Sequence, residues 1–202
     1  MPEHSALLDE LKPWIEELFG KEKTAAIMEE AQKYYNDLVA ENADEPKAMY
    51  SHTRARIYPG IAYFKAVTEA GMSREAAADL FLRFYRKRAE GPAAKLQNLL
   101  KFPGLYKLVP RIFKTVINKS FGADAGFKAV QRDTPKGELH IDMLVCPYYE
   151  ICKKYGCLEI VPTFCETDDV AYGNMHPKVI WGRTKTLGKG GDCCDFKIKI
   201  KK

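Results

Sequence analysis

Apolar residues in the first 120 positions recur every three or four residues, the spacing of one helix face. Leu7, Leu8, Leu11, Trp14, Ile15, Leu18 and Phe19 form the first stripe, crossed by Pro13 and closed by Gly20. From Thr24 a second runs through Ile27, Met28, Ala31, Tyr34, Tyr35 and Leu38. Residues 42–46 read as a loop, and a third helical stretch reaches Tyr58, where Pro59 can open a helix in its first turn. That helix, 61–70, ends at Gly71 as a C-cap. Ser73 caps the next, which turns Ala76, Ala77, Leu80, Phe81, Phe84 and Tyr85 inward and Arg83, Arg86, Lys87 and Arg88 largely outward. Gly91-Pro92 and Pro103-Gly104 punctuate two more. The last carries Leu108, Ile112, Phe113, Val116 and Ile117 with Lys107, Arg111, Lys114 and Lys119, and reads as a core helix with a solvated basic face, the alternative being a basic amphipathic helix on a membrane surface.

Beyond Gly122 and Gly126 the period drops to two. Residues 127–132 and 138–145 read as strands joined by a turn at 133–137, the second placing Leu139, Ile141, Met143 and Val145 on one face. Pro147 can start a helix ending near Gly156, 158–164 reads as another, and 179–184 and 194–200 complete four strands. In the last, Cys194 shares a face with Phe196, Ile198 and Ile200, and Asp195 points the other way. The pattern is α+β: a helical N-terminal part, 1–121, packed on a small, mainly antiparallel C-terminal sheet within a cysteine-rich region, 122–202. The two are expected to form one continuous globular unit.

Length and charge narrow the class. A chain of 202 residues can bury a hydrophobic core. Its apolar runs are far shorter than the roughly 20 residues that span a bilayer. The opening MPEHSALLDELK has no basic segment followed by an apolar one, so a cytoplasmic location is expected, with no stable membrane insertion. The net charge of +5 is modest, and the KIKIKK end reads as a solvated terminus. No recognition-helix, zinc-finger or single-strand-binding pattern accompanies it, so no nucleic-acid partner is expected. Homo-oligomerisation stays open.

The cysteines change the picture. All six, at 146, 152, 157, 165, 193 and 194, fall in one quarter of the chain and read as thiols rather than disulfides. No C-x-x-C pair occurs. Each alone reads as a small buried hydrophobe, Cys152 and Cys157 above all, but their clustering points to a site. Cys146 stands where a strand ends and Pro147 opens a helix, whose amides and dipole should lower its pKa. Cys165 precedes Glu166, Asp168 and Asp169, which should raise its own.

Cys146-Pro-Tyr, Phe164-Cys165-x-x-Asp168, Arg183-Thr184-x-Thr186-Leu187, Gly190 and Cys194-Asp195-Phe196, in that order over about 138–198, resemble the signature of the L-2-amino-thiazoline-4-carboxylic acid hydrolase family. The resemblance implies a hydrolase that opens a small cyclic isothiourea to N-carbamoyl-L-cysteine. A more distant similarity to vinyl-4-reductase-type domains implies the alternative, a non-catalytic module sensing a small molecule or metal. For an enzyme, the catalytic candidates are Cys146, Cys165, Asp168 and Cys194, with Cys146 preferred as nucleophile. Arg183 could clamp the substrate carboxylate, while Thr186 and the 188–191 amides around Gly190 could cradle an anion. The competing chemistry is metal: Cys146, Cys165, Cys194, Asp168 and His176 offer the donor types of a catalytic zinc site. His140 reads as satisfied on its strand face, and His4 and His52 give no signal.

Overall fold

The computed structural model describes residues 4–201; part of the opening MPEHSALLDELK and the last lysine of KIKIKK lie outside them. The fold is α+β, a helical N-terminal part packed on a four-stranded antiparallel sheet. Helix α1 (Ala6–Glu41) joins the first two apolar stripes, bent at Gly20, where φ is 71° and only glycine sits without strain. Pro13 does not interrupt it, because the proline lies exposed and solvent can meet the carbonyl it leaves unpaired. A 3-10 turn (Lys47–Met49) and a π turn (Thr53–Ile57) lead into α2 (Tyr58–Glu69).

Ser73 caps α3 (Arg74–Leu100), its hydroxyl accepting from the Ala76 amide at 3.2 Å. The break expected at Gly91-Pro92 does not occur; both residues are exposed on a helix anchored by Ala89 and Ala93 in the interior. Helix α4 (Val109–Ser120) corrects the expected facing. Val109 and Pro110 are buried and Phe113 and Ile117 half-buried, whereas Leu108, Ile112 and Val116 face solvent.

Strands β1 (Lys128–Arg132), β2 (Glu138–Val145), β3 (Val179–Gly182) and β4 (Cys194–Ile200) lie in the order β1-β2-β4-β3. The β2–β4 register sets Met143 opposite Cys194 and Asp142 opposite Asp195. The basic C-terminal stretch is a strand with paired lysines, Lys197 to Asp195 and Lys199 to Glu138, each at 3.0 Å.

Between β2 and β3 run α5 (Pro147–Lys154) and α6 (Val161–Tyr172). Cys152 of α5, Cys157 and Ile160 of the connecting segment and Val161 of α6 join one core with Leu11, Tyr63 and Phe81 from the N-terminal helices. Cys152 and Cys157 are thus packing residues. Packing is close where α2 meets α3 and α6: a Cβ at Gly60 would stand 2.8 Å from Phe81 Cζ and 3.2 Å from Phe164 Cζ. Gly60→Ala is therefore expected to cost about 1–3 kcal/mol, read as a lowered thermal midpoint.

Candidate active site

Helix α6 extends two turns past the expected end at 164, so Cys165 and Asp168 stand three residues apart on one helix face. Cys146 arrives as the N-cap of α5, and Cys194 as the first residue of β4. Cys146 and Cys194 share an apolar cluster with Tyr148, Leu187 and Phe196. The Cys194 and Cys165 thiols lie close enough to Cys146 to raise its pKa, Cys194 does the same to Cys165, and Asp168 acts on Cys165 and Cys194. The fold thus gathers the four residues proposed for chemistry from three separate elements.

Burial reverses the expected ranking of the thiols. It pushes Cys146 up to about 12, and the Tyr149 and Tyr148 amides at the start of α5 offset only part of that. Cys165 is pushed up less, to about 11, again by burial, with the Arg183 charge opposing. Desolvation outweighs the helix end, so Cys146 is no preformed thiolate. Cys194 is buried, and its Sγ accepts from the Leu187 amide at 3.3 Å. Cys165 Sγ faces Gly188, where a Cβ would stand 3.4 Å away.

Asp168 is the hub. Burial raises its pKa to about 6 despite the nearby Arg183 and Arg56 guanidinium groups. Yet 39% of its side-chain surface is accessible, so solvent enters the space beside this carboxylate. Its field also reaches Tyr148 and Tyr172.

Three residues around this space gave no readable signal in the sequence. Buried His52 places Nε2 2.9 Å from the Ser120 carbonyl, which can only accept, so that nitrogen carries the proton. Its Nδ1 then accepts from the Tyr148 hydroxyl at 3.1 Å, and Tyr148 Oη in turn accepts from Arg56 Nη1 at 3.2 Å. Burial lowers the His52 pKa, which keeps this relay neutral at the histidine. Tyr85, 3% exposed and within reach of the Arg56 and Tyr148 fields, has a hydroxyl with no hydrogen-bond partner among the described residues.

The other predicted residues fall on a different surface. Arg183, Thr186 and Gly190 line a groove of about 620 Å³ with Asp169, Trp181 and Lys189. Arg183 is only 7% exposed and bonds Asp169 Oδ2 at 2.7 Å and the Cys165 carbonyl, with Nη1 3.6 Å from Asp168 Oδ2. It ties α6 to the sheet and borders both spaces. The anion cradle expected at 188–191 is largely spent: the Lys189 and Gly191 amides donate to the Thr186 carbonyl, and that of Gly190 to Leu187. Gly190 serves the turn with φ 82°. Thr186 Oγ1 is buried without a hydrogen-bond partner among the described residues. Asp195, buried, accepts from the Thr184 and Lys185 amides at 2.8 Å, the Thr184 hydroxyl at 2.7 Å and Lys197 Nζ at 3.0 Å. Burial alone would raise its pKa, but these donors hold it well below the usual range.

Among the metal candidates, His176 stands apart, stacked on Tyr106 at 4.4 Å with Nδ1 accepting from the Lys178 amide. Among the described residues no three His, Cys, Asp or Glu side chains are placed to hold a metal ion together. His140 bonds Asp142 at 3.0 Å, as its strand position suggested.

A family model described as L-2-amino-thiazoline-4-carboxylic acid hydrolase matches residues 50–198. No curated protein matches the chain. Among solved structures, an H-NOX protein from S. oneidensis in the Fe(II)NO ligation state is similar at 13% identity and a TM-score of 0.34, over 98% of this chain and 100% of that one. At that score the likeness carries no argument.

Proposed function

The chain belongs to the L-2-amino-thiazoline-4-carboxylic acid hydrolase family, and from that premise we propose that it hydrolyses a small cyclic isothiourea, L-2-amino-thiazoline-4-carboxylate or a close analogue, in the recess around Asp168. The observation that carries this reading is Asp168 itself. It is an accessible carboxylate with a pKa raised to about 6, set among thiols, Tyr148 and two arginines.

Ring opening to N-carbamoyl-L-cysteine adds the oxygen of one water to the amidine carbon and breaks the carbon–sulfur bond. The ring sulfur leaves as the product thiol, and both nitrogens stay. The amidine carbon is electrophilic when its nitrogens are protonated, and ionised Asp168 suits the N–H groups of such a cation. Bound there, the cation lies beside Cys165 and lowers a thiol pKa that burial has raised. Cys165 Sγ attacks the carbon and the ring sulfur departs with a proton. Water then adds, with Asp168 taking its proton, and the carbon–Sγ bond breaks to release the ureido group and restore Cys165. Cys146 and Cys194 line the space in this reading.

Arg56 is the proposed partner of the substrate carboxylate. Arg56→Gln is expected to raise KM about 10–100-fold with a smaller change in kcat, because the carboxylate is bound alike in ground and transition states. Steady-state kinetics check this split, and an analogue lacking the carboxylate should bind wild type and variant alike.

The reading as a whole is tested by incubating the reduced protein with L-2-amino-thiazoline-4-carboxylate and following N-carbamoyl-L-cysteine by mass spectrometry. A second reading, a non-catalytic small-molecule sensor, is favoured by one observation: burial holds every thiol near the recess protonated. Saturable binding without product would select it.

A further inference from the structure

Residues 91–123 carry six basic side chains and no acidic one, leaving the rest of the chain at net −1 against +5 for the whole. The same stretch exposes apolar surface. Leu99, Phe102, Leu108, Ile112 and Val116 are 46–66% exposed, and they are five of the eight large hydrophobics exposed among the described residues. Leu108, Ile112 and Val116 recur at four-residue spacing, a single stripe along α4. That stripe lies beside the one formed by Val109, Phe113 and Ile117, which packs into the cluster of sheet residues Leu139, Ile141 and Ile198. Phe102, the most exposed of the five, sits next to Lys101 at the turn after α3.

Single exposed hydrophobics are ordinary, but this concentration among unopposed cations is not. We propose that this face, from the end of α3 through α4, seats the protein on an anionic membrane surface. An interfacial helix has this composition: aliphatic and aromatic residues entering the boundary of the acyl chains, with Lys and Arg meeting the headgroup phosphates. A second copy of the chain is a poorer occupant, because it would bring six cations against six. The association is peripheral, since no described helix is long and apolar enough to cross a bilayer.

Sedimentation of the full chain with vesicles tests this independently of any hydrolase activity. The protein should bind phosphatidylcholine vesicles containing about 30% phosphatidylserine, bind pure phosphatidylcholine far less, and lose affinity as salt is raised. Lys107→Gln and Arg111→Gln should each weaken binding about fivefold, corresponding to about 1 kcal/mol per cation. The pair Phe102→Asp and Ile112→Asp should weaken it at least about tenfold with an unchanged thermal midpoint, since both side chains lie outside the core. No binding to the phosphatidylserine vesicles at low salt would overturn the proposal. So would wild-type binding by the aspartate variants, which would make the face a polyanion site, or a vesicle-free dimer that those variants dissolve.

Discussion

Cys165→Ser is expected to lower kcat about 10³-fold or more while the protein stays folded. A serine hydroxyl is a far weaker nucleophile than a thiol. The site is half-buried on α6 and Thr167, on the same helix, already holds a hydroxyl, so the exchange is tolerable structurally. Cys146→Ser is the control, expected to keep turnover within about tenfold of wild type, because its thiol carries the larger burial penalty and lies on a different element from Asp168. Cys194→Ser should instead cost stability, about 1–3 kcal/mol, since a buried hydroxyl needs a better partner than the 3.3 Å amide contact of Leu187 provides. Turnover and thermal midpoint for the three variants side by side separate these roles. A Cys165 variant with near-normal turnover beside an inactive Cys146 variant would restore the ranking suggested by the helix end.

Asp168→Asn is expected to cost about 10²–10⁴-fold in kcat/KM, the usual range for a lost general acid or base, and here also an anchor for the amidinium. Its effect on stability should run the other way. The Asp168 pKa is raised in the folded state, so as pH climbs from the ordinary carboxylate range to about 6 the unfolded chain ionises first and stability falls. Above pH 6 that cost is fully present, and asparagine removes it. Arg183 keeps its 2.7 Å partner Asp169 in the variant. The thermal midpoint at pH 7 should therefore match or exceed wild type, an advantage that disappears near pH 4. Lost activity with lost stability would mark Asp168 as a structural residue instead.

The fold was largely readable because burial imposes its period on the sequence. Alternation in 138–145 and 194–200 marked the paired central strands, and the Leu80–Phe84 stripe marked a helix that is buried as expected. The misreadings have physical causes. Beyond Phe164 the chain runs Cys-Glu-Thr-Asp-Asp, which shows no apolar period because this part of α6 lies half-exposed along a recess. Its polar face therefore hid the helix that pairs Cys165 with Asp168. In α4 the period was seen but not its width: one apolar stripe packs on the sheet while its neighbour stays outside. The site was legible only as a set of thiols and acids. Arg56 and His52 meet Tyr148 across 92 and 96 residues, and nothing local distinguishes this arginine from the others. The thiol pKa ranking inverted because desolvation, a property of the finished fold, outweighed the helix end visible in the sequence.

The most direct test of the account is the pH dependence of kcat/KM for L-2-amino-thiazoline-4-carboxylate, in wild type and in Asp168→Asn. Free-enzyme Asp168 must be ionised to hold the amidinium, so wild-type activity should rise through a single ionisation near pH 6 and level off by neutrality, and the residual activity of the variant should lack that limb. A wild-type profile flat between pH 5 and 8, or a limb that survives unchanged in Asp168→Asn, would contradict it.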